Sequence, residues 1–439
     1  MLITHCIFTP KKPIFSRFLS YLFMSLTLYL AGGIVQPSIV SAANKNTAEA
    51  LTLKEAIQRT LNHNPELQTF QYQLQAQQGR MVQADLSPKP EVSLTVEDAL
   101  GSGDFNGFDN SQATLSVAWV LDQNIKDKRV QLASEAKSLI ESEKNIKQLD
   151  SATQTARYFL AALFYQQSAV IAHRAIALAQ STVREVKHRV KIGKTPLAEL
   201  YRADAELAKR RLVLGDIEHE LESSIRQLAS QWGSTEPSFK TVLGTLNNRP
   251  DVLSFLALKK QLKNNPNIAK YLSIDRVNQA QLKLAEEERN SRWKLTTGVR
   301  RYEETGDFGV VAGISMPFGG RHRNQGRIAE VKATRLQNLS EAEALRIRIE
   351  TTLFVVYQQL EHSFHLSEVL KKEIIPKLEK ALTETQKAYE LGKYSYLEWS
   401  AVQNELLSAQ SRLLDASLSA HLKQLEIERL TGTQITAPF

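Results

Sequence analysis

The stretch from Asn124 to Lys194 constrains the fold of this chain more than any other feature. It contains no proline and, before Gly193, no glycine. Apolar or small residues recur in it at the heptad spacing of a coiled-coil seam, in the two series Ile146, Thr153, Leu160 and Leu149, Ala156, Leu163. A helix of roughly 70 residues is about 100 Å long. The stretch therefore predicts a long rod rather than part of a compact domain.

The N-terminal stretch has the pattern of a secretory signal. Three basic residues precede an apolar run over 18–35, and the small residues Val40-Ser41-Ala42 follow it. We predict a signal peptide over 1–42, with a membrane anchor as the alternative. Since the one cysteine of the chain, Cys6, lies before the apolar run, the mature chain would have no disulfide, no thiolate chemistry and no cysteine metal site.

The mature chain has a small positive charge that is spread along its helices. Removing the three basic residues of the signal lowers the formal net charge from +8 to +5, because no acidic residue precedes Ala43. Lys and Arg are interleaved with Glu and Asp in the helical stretches, which is typical of a solvated helical surface. This pattern, together with secretion, predicts no binding of nucleic acid.

The first half of the chain alternates between helical and strand patterns. Residues 51–86 are helical in pattern and are interrupted only at Asn64-Pro65, where an N-cap and a first-position proline predict that a new helix starts. Two stretches of alternating apolar and polar residues then flank a loop rich in Gly, Asp and Asn, which predicts a strand hairpin. After the rod and its closing Gly193, Pro196 begins a return helix that ends at Gly233.

The second half repeats the first. Asn265-Pro266 matches Asn64-Pro65 with an offset of 201 residues, and Gly392-Lys393 matches Gly193-Lys194 with an offset of 199. Pro376 interrupts the second long run and predicts a kink or a restart, so that two stacked helices are one outcome. We predict a first repeat over 43–233 with a hairpin over 90–121, a linker over 234–250, a second repeat over 251–433 with a hairpin over 292–318, and a tail over 434–439.

The four predicted strands have about ten residues each, which is the length that a tilted strand needs to cross a bilayer. Each has one apolar face. Four strands cannot close a barrel, and an open sheet edge is not tolerated in lipid, so strands from several copies must be combined. Three copies would supply twelve strands. The alternative is a pair of ordinary soluble hairpins packed on helices. The order of hairpin, rod and hairpin favours the barrel, because it places both strand pairs at one end of the rods.

This duplicated plan resembles the TolC-type outer-membrane efflux channels over essentially the whole mature chain. Two segments are most similar to the cobalt-zinc-cadmium resistance branch of that family: Ser116-Val117-Ala118-Trp119-Val120-Leu121 before Lys126-Asp127-Lys128-Arg129, and Met316-Pro317-Phe318 before Arg323-Asn324-Gln325-Gly326-Arg327-Ile328-Ala329-Glu330. The chain departs from the branch at Gln123-Asn124-Ile125, where a Gly-Gly-Lys type turn is usual.

The resemblance implies a fold that is mainly α with a small β part. Coiled-coil helices would form a periplasmic tunnel, and four strands per chain would contribute to a 12-stranded barrel of a homotrimer in outer-membrane lipid. It also implies a passive conduit for divalent heavy-metal cations, with a periplasmic adaptor and an inner-membrane pump of the resistance-nodulation-division type as partners. The adaptor would contact the periplasmic tip at Ile192, Gly193, Lys194, Leu391, Gly392 and Lys393.

Two glutamates are candidates for a constriction of the tunnel. In the family, acidic residues just beyond the second tip turn can line such a constriction. Glu199 lies six residues after Gly193, and Glu398 lies six residues after Gly392. A ring of carboxylates from three subunits would favour cations over anions. The alternative for each is a surface glutamate on a helix.

No catalytic, cofactor or metal site is predicted. The chain has no phosphate loop, nucleophile elbow or HExxH helix, so we do not expect an enzyme. His362 and His365 have the i, i+3 spacing of one helix face, but two imidazoles without a third ligand make a poor transition-metal site. Two other functions stay open at this point: the channel of a multidrug or organic-toxicant system, and a secreted coiled-coil scaffold or adaptor without a barrel.

Overall fold

The computed structural model describes residues 50–249, 251–319, 322–433 and 435. The predicted signal peptide and nearly all of the predicted tail lie outside the described residues. The described part is mainly helical and includes four strands. The first half contains α1 (Leu53–His63), α2 (Pro65–Ala84), β1 (Glu91–Glu97), β2 (Gln112–Leu121), α3 (Gln123–Lys191) and α4 (Leu197–Ser230). The second half contains α5 (Phe255–Gln261), α6 (Pro266–Glu287), β3 (Trp293–Tyr302), β4 (Phe308–Ser315), α7 (Gln325–Val369), α8 (Ile375–Glu390) and α9 (Tyr396–Thr431).

The long rod is a single helix. α3 spans 69 residues without interruption, because neither proline nor glycine breaks its hydrogen bonds. Of the two predicted heptad series, Thr153, Ala156, Leu160 and Leu163 are buried, while Ile146 and Leu149 are half-buried. The helix packs against α2, α4, α6 and α9. The predicted coiled-coil rod is therefore confirmed.

Two equivalent asparagines position the start of each repeat. The side-chain oxygen of Asn64 accepts hydrogen bonds from the backbone N–H groups of Glu66 and Leu67, and Pro65 occupies the first helical position. Its amide nitrogen donates to the carbonyl of Gln231 at 2.8 Å.

Asn265 repeats this arrangement in the second half. It caps α6 in the same way, and its amide donates to the carbonyl of Leu430 at 2.8 Å. In each repeat, one asparagine therefore caps the helix that follows it and hydrogen-bonds to the end of the return helix.

The four strands form one antiparallel sheet in the order β1-β2-β3-β4. β2 pairs with β3 over its whole length, from Gln112 opposite Tyr302 to Leu121 opposite Trp293. This pairing joins the two repeats in one sheet. Gly298 is needed in it, since a Cβ there would lie 2.5 Å from the carbonyl oxygen of Leu115.

The sheet exposes its apolar face. In β2 the small or polar residues Thr114, Ser116 and Ala118 are buried, whereas Leu115 and Trp119 are exposed. This is the reverse of a soluble sheet that covers a core. The pattern agrees with the prediction of one apolar face per strand.

β1 and β4 are shorter than the predicted ten residues, with 7 and 8 residues. β1 stops before Asp98, whose φ of 57° is incompatible with an extended strand. β4 stops just before Pro317, which has no N–H group for the ladder.

None of the helices in the described part of the chain is long and apolar enough to cross a membrane.

The second rod does not break at Pro376. α7 passes into one π turn, Leu370–Ile374, and then into α8, with Pro376 in its first turn. The backbone stays helical throughout, with φ and ψ of −63° and −44° at Leu370 and −59° and −49° at Ile375. The predicted interruption by Pro376 thus takes the form of one π turn between α7 and α8, in which the wider turn accommodates a residue without an N–H group.

The main core lies where α1, α3, α4 and α9 meet the segment after α4. Its most buried side chains include Ala56, Phe159, Leu160, Leu163, Leu228, Phe239, Leu246 and Leu425. The segment is fixed by a β-bridge between Leu51 and Val242 and by two 3.1 Å hydrogen bonds between Val242 and the Gln166 side chain. The predicted linker thus contributes Phe239 and Leu246 to the core.

Candidate functional site at the two glycine turns

The turn after α3 is a glycine-closed helix end. Gly193 has a φ of 72°, the left-handed conformation that favours glycine. The N–H of Lys194 donates to the carbonyl of Arg189 at 2.9 Å, which closes the last helical turn. Pro196 follows with a φ of −65°, and α4 begins at the next residue. Ile192 and Lys194 are exposed on either side of the glycine.

The turn after α8 has the same geometry. Gly392 has a φ of 75°, and the N–H of Lys393 donates to the carbonyl of Ala388 at 2.9 Å. Leu391 and Lys393 are exposed beside it. The six residues that we predicted at the tip therefore occupy equivalent places in two equivalent turns.

Arg189 connects the two turns. It is only 7% exposed, and its Nη1 donates to the carbonyl of Glu390 at 2.8 Å. Its guanidinium carbon lies 4.7 Å from the centre of the Tyr389 ring, which is a cation–π contact. The end of α3 is thereby attached to the end of α8.

An aromatic cluster lies behind Arg189. The rings of Tyr389 and Trp399 stack with centroids 5.0 Å apart and an interplanar angle of 27°. Tyr396 and the buried Val186 and Ala203 complete the cluster. It brings together α3, α4, α8 and α9 and supports both turns from the inside.

Sequence reasoning missed Arg189 and this cluster. The second repeat has no matching arginine, so the duplication gave no signal for the contact. The aromatic residues Tyr389, Tyr396 and Trp399 on either side of Gly392 were a usable signal, because large aromatic side chains near a turn need a partner.

The Glu398 carboxylate accepts hydrogen bonds at the N-terminus of its own helix, α9. It is the third residue of α9, and its Oε2 accepts hydrogen bonds from the N–H of Ser395 at 2.7 Å and from the Ser395 hydroxyl at 2.9 Å. These bonds form a capping box. They lower the pKa of the Glu398 carboxyl, with the backbone bond as the larger cause.

Glu199 occupies the same helix position in α4 but has a different environment. The residue before α4 is Pro196, which has no hydroxyl to form a capping box. Glu199 is half-buried. Burial raises the pKa of both Tyr389 and Tyr396, and the negative charge of Glu199 adds to both shifts. Glu199 is therefore half-buried and uncapped, while Glu398 is exposed and engaged in the cap.

The surface around the turns is apolar and basic. Large apolar side chains are about half exposed or more at Ile192, Leu197, Leu391, Tyr394 and Leu397. Exposed lysines flank them at 191, 194 and 393. Exposed apolar side chains in one patch are typical of a protein contact surface.

The structure places His362 and His365 on an exposed part of α7, far along the chain from either turn. Among the described residues, no group of three or more His, Cys, Asp or Glu side chains is placed to hold a metal ion.

The fold is that of outer-membrane efflux channels. Residues 56–234 match the protein family described as Outer membrane efflux protein, over the range from α1 to the end of α4. The chain resembles this family as predicted, and that resemblance is confirmed. It is an outer-membrane protein and a conduit rather than an enzyme.

A curated relative covers nearly the whole chain. The chain is 25% identical to the cobalt-zinc-cadmium resistance protein CzcC of Cupriavidus metallidurans, over 94% of this chain and 98% of the relative.

Solved structures show the same fold at low sequence identity. CusC matches with a TM-score of 0.70 at 15% identity, over 87% of this chain and 92% of that one. The outer membrane protein VceC of Vibrio cholerae matches with a TM-score of 0.69 at 17% identity, over 88% and 97%. The MtrE outer membrane channel of Neisseria gonorrhoeae matches with 0.67 at 14% identity, over 87% and 89%.

Proposed function

We propose that three copies of this chain form the outer-membrane conduit of a tripartite export system for divalent heavy-metal cations. The observation that supports this most strongly is the combination of an open sheet with an exposed apolar face and two long helical hairpins that meet at their glycine turns. A periplasmic adaptor and an inner-membrane pump of the resistance-nodulation-division type would supply selection and energy. The helices would line the periplasmic tunnel.

The sheet edges support the trimer. The order β1-β2-β3-β4 leaves one edge of β1 and one edge of β4 unpaired within the chain. Unpaired backbone groups cost several kcal/mol each in lipid, so β1 of one copy would pair with β4 of the next. Heat-modifiable migration in detergent and crosslinking between engineered cysteines in β1 and β4 test the trimer. A soluble periplasmic monomer would contradict it.

The substrate class is supported by similarity to CzcC, whose name refers to cobalt, zinc and cadmium. The test is a strain that lacks this gene, grown on zinc, cobalt and cadmium and, in parallel, on organic toxicants. We expect the deletion to lower tolerance to the metals and the wild-type gene to restore it. Restored tolerance to organic toxicants alone would favour the multidrug alternative.

The tip residues Ile192, Gly193, Lys194, Leu391, Gly392 and Lys393 are proposed to contact the adaptor. Their exposed apolar side chains support this. Leu391→Arg should weaken binding of the adaptor to the purified channel about tenfold, since it places a charge inside a packed contact. Leu243→Arg, at an exposed leucine in the segment after α4, is the matched control. Equal binding by both variants would exclude the tip.

Glu199 and Glu398 are proposed to face the pore at its periplasmic constriction. Gln keeps the hydrogen bonds of a capping box and removes only the charge, so Glu398→Gln separates the two roles of that residue. We expect Glu199→Gln and Glu398→Gln to lower the preference for cations in planar bilayers. Unchanged conductance and selectivity in both would rule out the constriction.

A further inference from the structure

The connections at the two ends of the sheet differ in their charged residues. At the loop end, Arg300 and Arg301 of β3 pair with Glu97 and Glu303. The loops at the end away from the helices, residues 98–111 and 303–307, contain no Lys or Arg, and their carboxylates are Asp98, Asp104, Asp109, Glu303, Glu304 and Asp307. At the helix end, the described residues of the connections between helices and strands include four exposed Lys or Arg, which we call the basic collar: Lys89, Arg289, Arg292 and Arg323.

The strand register places the collar along one edge. Lys89 lies two residues before β1, and Arg292 lies directly before β3. The hydroxyl of Ser291 donates to the carbonyl of Pro317 at 2.6 Å, which holds the start of β3 beside the end of β4. The side-chain amide of Asn324 donates to the carbonyl of Ala285, which holds Arg323 near the end of α6.

The collar is not neutralised within the described part of the chain. No ion pair or side-chain hydrogen bond connects its four members to another described residue. Nearby acidic residues have their own partners, since Asp122 pairs with Arg129 at 3.0 Å, Asp85 pairs with Lys126 at 3.4 Å and Glu91 pairs with Lys294. Glu286, Glu287 and Glu288 directly precede Arg289 at the end of α6, and no ion pair joins them to it.

Apolar side chains border the collar on its strand side. Phe318 is 97% exposed and Trp293 is 50% exposed, and both lie at the helix end of the sheet. Leu121, opposite Trp293, is also exposed. Aromatic rings at the edge of an apolar strand surface are typical of the level where lipid tails meet headgroups.

We propose that the basic collar binds the phosphate groups of phospholipids in the leaflet that faces the helices. This inference rests on the proposed barrel in the outer membrane. Arginine suits phosphate because its planar guanidinium donates two parallel hydrogen bonds. Three copies would place a ring of collars around the barrel, directly below the exposed aromatic side chains.

The purified trimer of the mature chain allows a direct test with labelled phosphatidylglycerol and phosphatidylcholine in mild detergent. We expect wild type to prefer phosphatidylglycerol, and the triple variant Arg289→Gln, Arg292→Gln, Arg323→Gln to lose at least tenfold in affinity for it, because each basic residue near an anionic surface contributes substantially. Binding of phosphatidylcholine should change less than twofold. The matched control is Arg184→Gln, Arg211→Gln, Arg412→Gln, three exposed arginines on the helices.

A preference that stays within twofold of wild type in the collar variant would overturn the proposal. Complete displacement of the lipid by millimolar inorganic phosphate would also overturn it, because the site would then take free phosphate. If the triple variant does not assemble, the salt dependence of wild type is the test. We expect its preference for phosphatidylglycerol over phosphatidylcholine to fall at least tenfold at high salt. A preference that does not depend on salt would contradict the proposal. A trimer that conducts in bilayers but shows no preference for phosphatidylglycerol would contradict only the binding of phospholipid by the collar. A monomer without conductance would contradict the proposed function as well.

Discussion

The two repeats share one architecture but use different local devices to build it. The first rod is one unbroken helix of 69 residues, whereas the second reaches its glycine turn through a π turn and Pro376. The first return helix starts after Pro196 without a side-chain cap, whereas the second starts with a Ser395–Glu398 capping box. The two repeats therefore share the positions of their helix ends and strand pairs, but the residues that cap or turn those helix ends differ.

The largest expected effect is at the junction of the repeats in the sheet. Gly298→Ala places a Cβ 2.5 Å from the carbonyl oxygen of Leu115 and should prevent normal pairing of β2 with β3, at a cost of more than about 3 kcal/mol. Loss of the heat-modifiable trimer would report this. Gly313→Ala in β4 is the control, because its Cβ would meet nothing closer than 4.0 Å.

The equivalent caps test how symmetric the repeats are. Asn64→Ala and Asn265→Ala each remove two accepted hydrogen bonds and one donated bond, and we expect each to lower the free energy of unfolding by about 2 kcal/mol. Thermal melting followed by circular dichroism measures both. A difference above about 1 kcal/mol between them would show that the two halves differ in stability despite equal geometry.

Glu428 marks a difference in the return helices. Burial raises its pKa to about 7, and its Oε2 has no hydrogen-bond partner, whereas the equivalent position in the first repeat is Ala229. A carboxyl with a raised folded pKa binds more protons in the folded state, so stability falls as pH rises from about 4.5 to 7.

We expect Glu428→Gln to abolish this dependence and to stabilise the protein by about 2 kcal/mol at pH 8 but not at pH 4. The measurement is thermal melting of wild type and variant at pH 4 and at pH 8. Parallel pH profiles for wild type and variant would contradict the assignment.

The link between the turns should have a moderate effect. Arg189→Gln loses the cation–π contact and its donated bond to Glu390, so the turn after α8 should open more often, at a cost of about 1 kcal/mol. Faster amide hydrogen exchange at Lys393 is the measurement. Arg184→Gln, on the exposed side of the same helix, should leave that exchange unchanged.

The smallest effect concerns the π turn. Pro376→Ala restores an N–H group to α8 but leaves the surrounding packing intact, so stability should change by less than about 1 kcal/mol. Equal melting temperatures of variant and wild type are expected. A clear gain would show that the π turn exists only to accommodate the proline.

Much of this fold could be predicted from the sequence, because its signals are local. The Asn-Pro pairs, the proline-free rod, the alternating strands and the two glycines each specify a backbone geometry on their own. What escaped prediction depends on contacts between distant segments. Arg189 reaches a carbonyl contributed by Glu390, about two hundred residues away, and no local pattern indicates such a contact.

The sequence located both glycine turns but not the environment of the residues beside them. Glu199 and Glu398 were both selected because each lies six residues after a tip glycine. The sequence already distinguishes them, since only Glu398 belongs to a capping-box pattern, Ser395-x-x-Glu398. The interruption at Pro376 was predicted, but its form as a π turn was not, because one proline does not specify a π turn. The end of β1 depended on the left-handed backbone of Asp98, which aspartate tolerates but does not require.

The peptide bond between Asn247 and Asn248 contributes little to the contacts between the repeats. β2 pairs with β3 along ten residues and α3 packs along α6, while Asn247 and Asn248 lie exposed between the buried Leu246 and the start of the second repeat. A chain cut between these two asparagines would leave both halves with their contacts intact. The channel is therefore suited to fragment complementation, in which two separately expressed halves restore export only when they meet.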